Sequence, residues 1–181
     1  MNFTDKRILQ RIRVPLGFLF AAIFLFFARP VPVSLAIGGS FAVLGLLIRG
    51  WSSGHIRKNQ ELAVSGPYAF TRNPLYLGSF ILGLGFTIAS GVWWLGLLFI
   101  ALFLGIYLPV MRVEAEDLKA IFGKQYLEYA RQVPLFFPRP TKKIDADVKF
   151  DKNLYLRYRE YRAALGSAFA WLVLAFKAYF L

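Results

Sequence analysis

Cysteine is absent from the 181 residues, so a disulfide framework, a thiol nucleophile and a thiolate metal site are all excluded. Histidine occurs once, at His55, which argues against a histidine-rich metal centre or a proton relay. Acid is scarce: ten Asp and Glu stand against 22 Lys and Arg, for a formal net charge of +12. Charged residues of both signs make up only 18% of the chain. None is expected well inside a long apolar run, which speaks against an ion pathway and so against a transporter. No small-residue cleavage site follows the first apolar run, so that run is not read as a signal peptide.

What the chain has in abundance is apolar surface. Apolar residues reach 57% and the mean hydropathy is positive. A soluble domain of this size would struggle to hide so much, so a membrane protein is the first reading. The positive charge fits either nucleic acid or anionic lipid at a cytoplasmic face; the apolar runs favour lipid, and neither nucleic acid nor a metal is expected as a partner. Apolar runs at 14–28, 33–48, 74–90, 92–110 and 163–181 predict about five membrane helices in an all-α fold. Arg29-Pro30-Val31-Pro32 breaks the first pair, and Gly91 turns between the third and fourth. Trp93 and Trp94 suit an interfacial aromatic belt. Residues 151–163 alternate arginine with aromatic and aliphatic positions and predict an interfacial amphipathic helix.

Loop charge sets the expected orientation. All basic residues except Arg29 and Lys177 fall in residues 1–13, 49–73 and 112–162. These segments are therefore placed on the cytoplasmic side, and an odd number of spans puts the C-terminus outside. The chain is read as one domain over 1–181, with 49–73 and 112–162 as its two polar working segments. Sharing one side of the membrane is the condition for building one site from both.

The densest cluster of chemistry is 66–78, GPYAFTRNPLYLG. Gly66-Pro67-Tyr68 is a turn signal, and Asn73-Pro74 starts a helix with proline in its first turn. Arg72 stands just before that helix, whose N-terminus carries partial positive charge and free amides. The combination suits a carboxylate or phosphate, although a plain re-entry loop would look similar. Beyond the fourth run lie Glu114, Glu116 and Asp117. Acids at a helix start are common caps; alternatively Glu114 and Asp117, three apart on one helical face, hold a cationic ligand. Tyr126 and Tyr129 follow, either as interfacial anchors or as rings to stack on a planar base. His55, Arg57 and Lys58 precede the loop, with hydrogen bonding and lipid contact as their ordinary uses.

These motifs resemble the isoprenylcysteine carboxyl methyltransferase family and its phospholipid methyltransferase relatives, in a bacterial-type form. The matching residues are Gly66, Tyr68, Arg72, Asn73, Pro74, Tyr76 and Gly78, then Glu114, Phe122, Gly123, Tyr126, Tyr129, Val133, Pro134 and Pro138. The resemblance implies a membrane methyltransferase of the bacterial inner membrane that uses S-adenosylmethionine. Carried over, its cofactor-binding residues are Gln60, Glu61, Leu62, Ala63, Tyr68, Asn73, Pro74, Leu75, Tyr76 and Glu114. Arg72 and the helix amides suit the cofactor carboxylate, Glu114 its amine, and tyrosine rings its adenine.

Two positions depart from the family pattern: Ala115 replaces the second glutamate of a pair, and Val110 replaces an arginine that meets the prenylcysteine carboxylate. Arg112 lies close by and, with Tyr126, is taken as substrate-binding. These departures weigh against prenylcysteine as acceptor. The expected reaction is direct methyl transfer to a lipidic or amphiphilic acceptor, either O-methylation of a carboxylate or N-methylation of an amine. Arg72 is the expected catalytic residue, with Glu116 or Tyr76 taking the proton of an amine. The competing class is a non-enzymatic scaffold or anionic-lipid-binding protein.

Overall fold

The computed structural model describes residues 3–57, 61–140 and 149–180, with side chains from residue 14 onward. The α-helices are α1 (Phe3–Phe27), α2 (Pro32–Ser53), α3 (Pro74–Ala89), α4 (Trp93–Phe122), α5 (Lys124–Gln132), α6 (Lys152–Arg157) and α7 (Tyr161–Phe180). A 3-10 turn covers Gly66–Ala69, and no strand occurs among the described residues. This is an all-α membrane protein. Each of the five apolar runs carries a helix, but among the described residues only α2, α4 and α7 are long and apolar enough to cross a bilayer on those grounds. Val14–Phe27 of α1 and the whole of α3 are shorter apolar helices. The 16 residues of α3 cover about 24 Å, against a hydrocarbon core of about 30 Å.

Two elements differ from the sequence expectation. The fourth run does not stop at Val110: α4 continues through Pro109 to Phe122 as one helix of 30 residues. Its polar end is rich in helix-favouring Glu, Ala, Leu and Lys, and glycine intervenes only at Gly123, whose φ is 53°. Glu114, Glu116 and Asp117 thus lie late in a long helix and are not N-terminal caps. The amphipathic stretch 151–163 is not one helix either. It breaks into α6 and the start of α7 through a Schellman turn, in which the amides of Arg159 and Glu160 donate to the carbonyls of Leu156 and Tyr155. That turn needs a left-handed residue, normally glycine. Here it is Arg159, with a φ of 55°, the one such non-glycine residue among those described. The conformation costs roughly 1 kcal/mol.

The bundle is organised on the crossing of α2 and α3. Gly38 and Gly45 on α2 face Gly85, Leu82 and Gly78 on α3 with almost no space between the backbones. A Cβ added at Gly85 would lie 2.6 Å from the Gly38 carbonyl oxygen, and one at Gly45 would lie 2.5 Å from the Leu82 nitrogen. Close backbone approach of this kind is how helices gain packing where lipid offers no hydrophobic driving force. The end remote from the polar loops is closed by Phe24, Ala28, Leu35, Ala89, Leu95 and Leu174. There Lys177 of α7 donates to the carbonyls of Leu25 and Phe26, at 2.6 and 3.2 Å, satisfying the C-terminus of α1.

Gly45→Leu and Gly85→Leu should each lower the thermal unfolding midpoint in detergent, because overpacking a tight contact costs about 1–3 kcal/mol. Gly105→Ala, whose Cβ would meet nothing within 4 Å, should leave the midpoint unchanged or raise it.

Candidate functional site

Two polar segments meet at the other end of the bundle. Residues 70–73 run antiparallel to residues 134–139 and are tied to them by hydrogen bonds. The Arg72 amide donates to the Pro134 carbonyl at 2.9 Å, and the Arg139 amide to the Phe70 carbonyl at 3.2 Å. Thr71 Oγ1 donates to the Phe136 carbonyl at 2.8 Å, and Asn73 Nδ2 to the Leu135 carbonyl at 2.9 Å. Apolar packing holds both sides of this joint. Phe103, Met111 and Phe136 sit beneath it; Tyr126, Tyr129 and Val133 lie beside it.

The joint shapes a cavity of about 890 Å³, at the upper end of the size expected of small-molecule sites. Glu61, Leu62, Ala63, Tyr68, Arg72, Asn73, Pro74, Leu75, Tyr76, Glu114 and Tyr126 all line it. Gln60 and Lys58 lie outside the described residues. Arg112 and Glu116 are not brought to the cavity, and the reason is helical phase. Glu114, Asp117, Leu118 and Ile121 form one stripe of α4 that faces the cavity. Positions two residues either side of Glu114 point the opposite way. Arg112 is exposed, and Glu116 is exposed beside Lys119 at 3.6 Å.

Within the cavity the side chains are interlocked. Tyr76 donates to Glu114 at 2.8 Å, joining α3 to α4. Arg72 Nη1 donates to the Tyr126 hydroxyl at 2.8 Å, and its guanidinium carbon stands 5.8 Å from the centre of that ring. The Tyr129 hydroxyl donates to the Tyr68 carbonyl at 2.7 Å and so fixes the turn that carries Tyr68. The expected supply of amides at the start of α3 is reduced, because Arg72 and Asn73 spend theirs on Pro134 and on Thr71 Oγ1.

Among the described residues, two buried side-chain atoms are left with no partner, the Tyr68 hydroxyl and Arg72 Nε. Both belong to cavity-lining residues. A buried donor without an acceptor costs about 1–3 kcal/mol, so this pair marks where a ligand's acceptor groups would be held. Burial pushes the Tyr68 hydroxyl far above its ordinary value, and Tyr129, Tyr158, Glu114 and Glu160 add to the rise. Burial also raises Tyr129, against the opposing pull of Arg72. Both hydroxyls stay protonated and remain donors.

Sequence reasoning missed a second charged group in the same cavity. Arg49, at the end of α2, grips Glu160 with both arms: Nε to Oε2 at 3.1 Å and Nη2 to Oε1 at 2.8 Å. Its Nη1 donates to Ser79 on α3. Val14, Gly17, Phe18 and Ala21 of α1 supply an apolar wall, and Tyr107 of α4 contributes a further ring. The available signal was thin: Glu160 is the one acid after Asp151 in an arginine-rich stretch.

Comparison with known proteins places this architecture. The family model described as phospholipid methyltransferase matches residues 33–125, about half of the chain and the part that carries Arg49, Tyr68, Arg72 and Glu114. The chain belongs to the phospholipid methyltransferase family. It is 34% identical over 150 residues to the cobalt-zinc-cadmium resistance protein CzcN of Cupriavidus metallidurans, covering 76% of this chain and 67% of that one. It is 36% identical over 107 residues to the nickel-cobalt-cadmium resistance protein NccN of Alcaligenes xylosoxydans xylosoxydans, covering 57% and 47%. It is 28% identical over 137 residues to the protein-S-isoprenylcysteine O-methyltransferase of Schizosaccharomyces pombe, covering 73% and 58%. The chain thus spans about half to two thirds of these relatives' lengths. No solved structure gives a significant match.

The raised tyrosines fix a direction of pH dependence. An unfolded tyrosine ionises near 10.0 and releases its proton, whereas folded Tyr68 and Tyr129 keep theirs. Stability should therefore fall as pH rises above about 10. The unfolding midpoint followed from pH 8 to about 11 checks this, and Tyr68→Phe should flatten the decline.

Proposed function

We propose that this chain transfers a methyl group from S-adenosylmethionine to a lipidic or amphiphilic acceptor at the cytoplasmic boundary of a bacterial inner membrane. The observation that carries the reading is the pair of unpartnered buried donors, Tyr68 hydroxyl and Arg72 Nε, in one cavity with Glu114. Family membership supports it, since phospholipid methyltransferases act by methyl transfer. Five helices would lie in the bilayer as one unit over 1–181, with 49–73 and 112–162 cytoplasmic and the C-terminus outside.

The residues present fit the cofactor. Arg72 and Tyr68 would hold its carboxylate, and Glu114 its ammonium. Glu61, Leu62, Ala63, Asn73, Pro74 and Leu75 form the surrounding wall, and the rings of Tyr76 and Tyr126 offer faces to the adenine. Bound there, S-adenosylmethionine supplies an electrophilic methyl group on a positive sulfur. The chain's own work is positioning and exclusion of water. The polar side of the cavity receives a soluble reactant, and the α1 side presents Phe18, which is 75% exposed, to the apolar phase. Glu116, directed away from the cavity, has no place in this scheme. Tyr76 and Glu114, already hydrogen-bonded, are the groups that would take the proton from an amine acceptor. A carboxylate acceptor would need no base.

Calorimetry of S-adenosylmethionine binding to the purified protein in detergent tests the assignment. Arg72→Ala and Glu114→Gln should each weaken binding by about tenfold or more, as expected of charge-assisted hydrogen bonds. Unaltered affinity in both variants would remove these residues from the cofactor site.

A further inference from the structure

The Arg49–Glu160–Ser79 cluster is not used by the cofactor scheme, yet it lines the same cavity. Three observations single it out. Both charges are largely buried, with side-chain exposures of 21% for Arg49 and 14% for Glu160. The chain reaches this arrangement through a left-handed Arg159, a strained conformation directly before Glu160. Strain of this kind persists only where surrounding contacts enforce it, and it gathers at functional sites. Finally, Glu160 lines the same cavity as Glu114 and the two residues with unpartnered donors, Tyr68 and Arg72.

What such a carboxylate can recognise follows from its occupancy. Arg49 engages both oxygens from one side, by Nε and Nη2. An ionised carboxylate has about four acceptor positions, so some remain for a donor arriving from the cavity. The wider lining repeats the bias: the acids Glu61, Glu114, Asp117 and Glu160 outnumber the bases Arg49 and Arg72, in a chain that is strongly basic. Glu61 is paired with Arg57 and Glu160 with Arg49; with Arg72 assigned to the cofactor carboxylate and Arg49 committed to Glu160 and Ser79, neither lining base remains to receive a carboxylate acceptor.

We propose that Glu160, held by Arg49, is a specificity-determining residue that selects acceptor head groups donating hydrogen bonds and rejects carboxylates. Arg49 is its positioning residue. The proposal rests on the methyl-transfer reading for what happens after selection. In that step a protonated amine would first give a proton to a carboxylate of the cavity; the freed lone pair would then bond the methyl carbon as the carbon–sulfur bond breaks, its electron pair passing to sulfur.

The test uses the full chain in detergent and two probes with one tail, dodecylamine and dodecanoate, at neutral pH. Saturable shifts of the unfolding midpoint report their binding, and calorimetry reports S-adenosylmethionine. Dodecylamine should bind at least tenfold more tightly than dodecanoate, and Glu160→Gln should remove that preference while leaving cofactor affinity within about twofold. The exchange variant Arg49→Glu with Glu160→Arg separates recognition from scaffolding. Recognition predicts a restored unfolding midpoint with the preference reversed toward dodecanoate. A restored midpoint with the amine still preferred would reduce the pair to a structural tie and overturn the proposal. So would a wild type that binds the two probes equally or binds neither. A wild type that prefers the amine but binds no S-adenosylmethionine would instead sink the methyl-transfer reading, leaving Glu160 a head-group selector.

Discussion

The hydrogen-bonded seam between residues 70–73 and 134–139 is the constraint on which the site depends. The two strips are separated in sequence by α3, α4 and α5. Each bond is worth about 1 kcal/mol net, but together they fix the backbone of Arg72 and Asn73 against Pro134 and Leu135. Arg72 can then reach Tyr126, and Tyr129 can reach the turn bearing Tyr68. Without the seam α3 and α5 would share no fixed relation, and the two unpartnered donors would be open to water.

A second constraint works from below. The α2–α3 crossing is so close that Arg49, at the end of α2, and Ser79, in the second turn of α3, are neighbours. The α6–α7 turn then delivers Glu160 to the same point. One end of the bundle therefore carries two charged systems in a single cavity, one on Arg72 and one on Arg49. The α1 wall supplies the apolar side that neither system provides. The Arg72 system and the Arg49 system thus arise from different packing contacts, the seam in one case and the α2–α3 crossing in the other.

Much of this was legible in the sequence because it is local. Asn73-Pro74 opens α3, Gly66-Pro67-Tyr68 makes the 3-10 turn, and Gly91 turns between α3 and α4, as their turn chemistry requires. Helical phase was harder to read. Spacing puts Glu114 and Asp117 on one helical face, but with α4 taken to end at Val110 nothing fixed the direction of that face; the longer helix turns Glu114 and Asp117 toward the cavity and Glu116 away from it. Arg49 was hidden for another reason. A lone arginine closing an apolar run looks like any cytoplasmic anchoring charge, and its partner lies 111 residues away. Arg159 gave no sign of a helix break, since only tertiary contacts make an arginine adopt a glycine conformation.

The account's central claim is that both strips lie on one side of the membrane. A chain without cysteine makes this directly measurable, since single cysteines can be introduced at the exposed positions Phe70 and Lys124 and labelled in sealed vesicles with a membrane-impermeant maleimide. The account predicts that both positions react from the same, cytoplasmic side. Labelling of Phe70→Cys and Lys124→Cys from opposite sides would contradict it, because no shared cavity could then exist.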